Sequence, residues 1–144
     1  MGLLYNADPS TREFTTEILD EANRRDILKL LVDFLFSKGV KEVRVEFGYV
    51  QRLELRGKPQ GDNQVVLLSD LPSFIERGLE EGTIEWNGMS DFFFSPIGID
   101  LRFMLCNDAD LHFASTDSVL LMELGRLLAS AGIKVYDSGN LISG

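Results

Sequence analysis

Apolar side chains recur along this chain with two distinct periods, and the alternation between them outlines the elements. From Asp20 onward Ile27, Leu30, Leu31, Phe34 and Leu35 return at steps of three and four, and Gly39 follows Lys38 where a helix would stop. The spacing predicts a helix over Asp20 to Lys38. Upstream, Ser10 and Glu13 are spaced as a capping box while Phe14, Thr16 and Ile18 alternate as in a strand, so Arg12 to Leu19 is compatible with either state.

The period then changes to two. Val43, Val45 and Phe47 alternate with Glu42, Arg44 and Glu46, and after Gly48-Tyr49-Val50 the pattern resumes with Leu53 and Leu55 between Arg52, Glu54 and Arg56. A hairpin in which Phe47 faces Gln51 pairs Val45 with Leu53 and Val43 with Leu55 on one side. It sets Glu46 against Arg52, Arg44 against Glu54 and Glu42 against Arg56 on the other, so both faces favour one register. The charge row reads as a polar binding face or, more plainly, as a solvated one. Gly57 to Asn63 is polar loop, and the unbroken apolar run Val65 to Leu68 suits a central strand covered on both sides.

Ser69 or Asp70 caps a short predicted helix with Pro72 in its first turn, an apolar side of Leu71, Phe74, Ile75 and Leu79, and a stop at Gly82. Ile84 and Trp86 lead into the turn dipeptide Asn87-Gly88, with Phe92 to Phe94 expected to return as the partner strand. After Ser95-Pro96-Ile97-Gly98, residues Ile99, Leu101, Phe103 and Leu105 alternate with Asp100, Arg102, Met104 and Cys106. A loop of Asn107, Asp108 and Ala109 then pairs Leu105 with Leu111 and Phe103 with Phe113. Thr116 or Asp117 caps a last helix carrying Leu120, Leu121, Leu124, Leu127, Leu128 and Ala131, which Gly132 ends before a strand at Ile133 and Val135. Ser37-Lys38-Gly39-Val40-Lys41 and Ser130-Ala131-Gly132-Ile133-Lys134 resemble each other as an internal repeat, or share only a common helix-to-strand junction. Hairpins outnumber helical crossovers. The expected class is therefore α+β, a single domain over residues 1–144 with a mostly antiparallel sheet and about three helices on one face.

Charge adds what periodicity does not show. Residues 1–58 hold ten basic and ten acidic side chains and residues 59–144 hold four and thirteen, so the whole net charge of −9 belongs to the second stretch. Such a field repels phosphate backbones and favours a basic protein surface, which argues against nucleic acid as partner. No apolar run approaches the roughly 20 residues that a membrane crossing needs. Met1 to Asn6 lack both a basic leader and a myristoylation pattern, and Cys106 is the lone cysteine, so cytoplasmic residence without a disulfide is expected. GxGxxG, P-loop, GxSxG, HExxH and CxxC patterns are all missing, and no cofactor is expected.

Three function classes remain. The leading one is a noncatalytic binding or regulatory protein, an acidic inhibitor or immunity-like protein that engages a basic partner through Asp100, Asp108, Asp110 and Asp117, with Trp86 and Phe93 as apolar contacts. The alternative is an enzyme. The register of the second hairpin sets Cys106 opposite Asp110 and diagonal to His112, the set that thiol chemistry needs: an imidazole to hold the thiolate and a carboxylate to orient the ring. Alternatively Asp108, Asp110 and His112 hold a divalent cation such as calcium or manganese, although the calcium-loop pattern is missing. The bland counterparts are a buried cysteine, a surface histidine and turn-forming aspartates. The third class is a self-associating module, a homodimer formed through an aromatic hairpin of Trp86 and Phe92 to Phe94. Tyr136 to Gly139 reads as a tail turn or a contact loop.

Overall fold

A computed structural model of the chain describes residues 9–48, 64–86 and 91–143. It shows an α+β fold. The elements are β1 (Arg12–Thr16), α1 (Glu21–Ser37), β2 (Glu42–Phe47), β3 (Gln64–Leu67), a 3-10 turn (Leu68–Asp70), α2 (Leu71–Glu81), β4 (Phe92–Pro96), β5 (Arg102–Leu105), β6 (Leu111–Ser115), α3 (Ser118–Ser130), β7 (Val135–Asp137) and β8 (Asn140–Leu141). All described strands pair antiparallel in one sheet of order β3-β2-β4-β5-β6-β1-β7-β8.

The strand period of two divides the sheet into unlike faces. On one face Val45, Phe94, Phe103, Phe113 and Phe14 line up across five adjacent strands, all fully buried. Phe94 and Phe103 stack at 4.7 Å between centroids, and Phe113 meets Phe14 edge-on at 5.6 Å. These offset and edge geometries add to the burial of each ring. The helices cover this face: Phe74 of α2 lies over Phe47 and Phe92, α3 brings Gly125 against Phe14, and α1 packs against both other helices. Asp20 caps α1 by accepting from Asn23 N–H at 2.8 Å, and Asp117 caps α3 by accepting from Val119 and Leu120 N–H at 3.1 Å each.

Both predicted helix-to-strand junctions have the same geometry. Val40 N–H donates to Leu35 O and Ile133 N–H to Leu128 O, each at 3.1 Å, with Gly39 and Gly132 left-handed at φ 79° and 91°. That conformation is cheap for glycine alone, and each junction then buries its β-branched residue at 4% exposure. The junctions deliver hairpins β2–β3 and β7–β8 to opposite ends of the sheet.

Several expectations are corrected. The undecided segment opens with strand β1. Val65 to Leu67 are not central: β3 ends the described sheet, with Val65 46% and Leu67 53% exposed. Leu79 and Leu127 face outward from their helices, at 40% and 37%. Beside Glu42 to Val45, β2 has β3 on one edge and β4 on the other; residues 51–56, the expected partner, lie outside the described residues. Thr83 to Trp86 form no strand, and β4 pairs with β2 and β5 instead.

One close approach fixes how α2 meets the segment after it. A Cβ on Gly78 would overlap the side chain of Ile84, which is 2% exposed and has no open space to move into. Gly78→Ala is expected to destabilise the fold by about 1–3 kcal/mol, read from the urea midpoint at unchanged m-value.

Candidate functional site

The second face of the sheet carries the chemistry. Cys106 N–H donates to Asp110 O at 3.0 Å and Ala109 N–H to Cys106 O at 3.0 Å, so a three-residue loop joins β5 to β6 with Leu105 opposite Leu111, as the alternation predicts. Ala109 takes φ 67°, a left-handed conformation that a non-glycine residue holds only when its surroundings enforce it. They do so here. Ala109 is 4% exposed and its carbonyl accepts Leu19 N–H at 2.8 Å; Trp86 Nε1–H donates to Asp110 O at 2.7 Å, Leu111 N–H to Thr16 Oγ1 at 3.0 Å, and Asn107 N–H to Asp91 Oδ1 at 2.8 Å.

This anchored register gathers Cys106, Asp110 and His112. One donor atom from each lies within 4.8 Å of the other two, and among the described residues no other cluster of metal-ligand type does so. Cys106 is 7% and Asp110 9% exposed. A fourth residue, Glu13 of β1, joins them from across the β1–β6 pairing: its Oε2 meets His112 Nδ1 at 2.8 Å, while Asp110 Oδ1 lies 3.2 Å from His112 Nε2. Glu13 Oε1 and Asp110 Oδ1 are buried and have no aligned hydrogen-bond partner. The ring thus stands between two carboxylates, one on each nitrogen.

The consequence is a held proton. Burial opposes charge on His112, but its polar contacts with Asp110, Cys106 and Glu13 outweigh burial and raise its pKa to about 11. The Cys106 thiol itself faces Asn107 Oδ1 at 3.6 Å.

The other candidates are dispersed. Asp108 is exposed at the hairpin tip and does not join Asp110 and His112, so the candidate set of Asp108, Asp110 and His112 is not brought together; Cys106 joins Asp110 and His112 instead. Asp100 lies beyond the far end of the hairpin, where it accepts from the Thr116 hydroxyl and from Thr116 N–H at 2.9 Å. Those bonds, the hydroxyl first, hold its pKa below the usual value against burial. Asp117 caps α3. Trp86 is 1% exposed, so it is a core anchor and not a partner contact, and Phe92 and Phe94 are buried at 1% each. Only Phe93 of the three consecutive phenylalanines reaches the second face, between Glu46 and Met104, so Trp86, Phe92 and Phe94 do not form an exposed aromatic patch among the described residues.

Sequence reasoning missed two groups. Glu13 had no local signal, because its neighbourhood depends on a pairing 99 residues away. The second group is on α2. Residues 70–85 carry Asp70, Glu76, Glu80, Glu81 and Glu85 against the single base Arg77. Asp70, Glu76, Glu80 and Glu81 are exposed, and none of these four is paired with a base among the described residues. Charge density along the sequence would have found them. Elsewhere the acidic half is partly neutralised by the first half: Glu123 pairs with Lys38 at 2.8 Å and Asp137 with Arg12.

Comparison with protein-family models, with curated proteins and with solved structures finds no match. No helix among the described residues is long and apolar enough to cross a membrane.

The clamped proton has a defined pH dependence. With a folded-state pKa of about 11 above an ordinary 6.5, its stabilisation is complete below pH 6.5 and is lost as pH rises from there toward 11. The difference in unfolding free energy between wild type and His112→Gln, taken from urea melts, is expected to shrink steadily across that window. A difference that stays constant with pH would show that the folded ring holds no extra proton.

Proposed function

We propose that this chain is a noncatalytic binding protein of the inhibitor or immunity type, and that it receives a basic protein surface on α2. The observation that carries the reading is the outward face of that helix. Glu76 and Glu80 stand one turn apart, opposite the stripe of Leu71, Ile75 and Gly78 that faces the core. Like charges at this spacing repel each other by a few tenths of a kcal/mol. Glu80 and Glu81 also occupy the last turn, before Gly82, where the helix dipole is negative and no basic residue balances it. Local energetics therefore oppose this arrangement twice over. Sites that break local rules without a structural return are where function is expected.

The rest of the charge distribution points to the same helix. Glu123 and Asp137 are taken up by Lys38 and Arg12, Asp100 and Asp117 by backbone and hydroxyl donors at the start of α3, and Asp110 by His112. Glu76, Glu80 and Glu81 on α2 have no paired base among the described residues, and there a basic partner would relieve the repulsion and gain a steered approach.

Glu76→Gln, Glu80→Gln and Glu81→Gln together test this reading in two ways. The triple variant is expected to unfold at higher urea concentration, by about 0.5–1 kcal/mol, since it removes the repulsion and the unfavourable dipole contact. In affinity capture from the source lysate, the wild-type chain should retain a basic protein that is lost both at high salt and on the triple variant. A captured partner indifferent to salt and to the substitutions would overturn the assignment.

A further inference from the structure

The cluster on the second face is independent of α2 and has a logic of its own. A neutral imidazole carries one N–H and cannot donate to carboxylates on both nitrogens, so with Glu13 on Nδ1 the 3.2 Å approach of Asp110 Oδ1 to Nε2 calls for a further proton or a cation between them. The surroundings match a cation in three respects.

Cys106 Sγ belongs to the same group, with all three donor atoms within 4.8 Å of one another. Thiolate, imidazole and carboxylate are the ligand types of a borderline divalent ion. A tetrahedral site with ordinary zinc bond lengths sets neighbouring donors roughly 3.3–3.8 Å apart, so the Nε2–Oδ1 spacing needs little change and the sulfur about an ångström of adjustment. Asp110, 9% exposed, keeps Oδ1 without a hydrogen-bond partner, an orphaned acceptor directed at the ring nitrogen and not at solvent. Finally, Glu13 Oε2 sits on Nδ1 at 2.8 Å, behind the ring. A carboxylate in that position fixes the N–H on Nδ1 and leaves Nε2 free to donate its lone pair, the outer-shell arrangement that zinc-ligating histidines commonly have.

We propose that Cys106 Sγ, Asp110 Oδ1 and His112 Nε2 form a binding site for a divalent ion of the zinc class, with Glu13 as the residue that orients His112. The ion replaces the proton between Nε2 and Oδ1 and takes the thiol as thiolate, releasing both protons to solvent. Hard ions such as calcium and magnesium are excluded by the sulfur and nitrogen donors. Three protein ligands leave a fourth position for a water or another small donor. The loop that carries two of the ligands is already held by Trp86, Leu19 and Asp91, so the site needs no folding step to assemble.

The test uses the full chain, stripped with a chelator and titrated with Co2+ alone and then with Zn2+. Wild type and Asp108→Asn are expected to bind Co2+ stoichiometrically with an intense thiolate-to-cobalt charge-transfer band and tetrahedral visible absorption, both erased by Zn2+. Cys106→Ser should abolish the charge-transfer band and weaken Zn2+ binding at least tenfold. Glu13→Gln, which removes the charge behind the ring and no ligand, should keep the band and weaken binding by roughly 10–100-fold. The wild-type spectrum is decisive even if a variant fails to fold, which far-ultraviolet circular dichroism will show. The proposal is overturned if wild type binds no Co2+ stoichiometrically, if bound Co2+ lacks the thiolate band, or if folded Cys106→Ser binds Zn2+ as tightly as wild type.

Discussion

The register of the β5–β6 hairpin is the constraint on which the rest depends. It is set by Cys106 N–H donating to Asp110 O and Ala109 N–H to Cys106 O, across a loop in which Ala109 adopts a left-handed backbone. Because side chains alternate faces, a slip of one residue would turn Phe103 and Phe113 out of the core and drive Cys106, Asp110 and His112 into it. The first loss removes the centre of the aromatic row, and the second buries charge without its partner from β1. Either is expensive, so the two faces enforce the same pairing. The anchors from distant segments, Trp86, Leu19, Thr16 and Asp91, then hold the loop at the one place where its backbone is least comfortable.

The sheet separates two kinds of work. Its helix-covered face is apolar and accounts for the core, with rings from five strands and Phe74 of α2 in contact. Its other face places a partly buried histidine beside two carboxylates and a thiol, an arrangement with no packing advantage over apolar side chains of similar volume. The acidic surplus is distributed in a comparable way. Part is absorbed by contacts between the two halves of the chain and part by helix caps, while Glu76, Glu80 and Glu81 of α2 stay exposed. A net charge read along a sequence therefore overstates the free anionic surface and misplaces it.

How far the sequence could be followed depended on the range of the interaction. The second hairpin was legible because loop, alternation and register all lie within about a dozen consecutive residues, and with it the proximity of Cys106, Asp110 and His112. The helices were legible for the same reason, with a capping residue expected at Thr116 or Asp117 and glycine stops at Gly39, Gly82 and Gly132. For the first hairpin, complementary charges on 42–47 and 51–56 satisfied every local criterion, and 51–56 lie outside the described residues. Yet Val43 has two edges, and Val66 and Pro96 occupy them. Trp86 misled: a tryptophan before a turn dipeptide reads as a strand end, whereas its burial and its bond to Asp110 are set by the strand it packs beneath.

By itself the sequence determined where the backbone turns, which residues share a face within each element, and that the class is α+β, because these follow from steric and hydrogen-bonding rules acting over a few residues. Only the tertiary structure decided the strand order, the neighbours of β2, the arrival of Glu13 behind His112, and which carboxylates stay unpaired. Those outcomes depend on competition among segments far apart in the chain for the same edges and the same charges. Local pattern carries no record of which competitor wins.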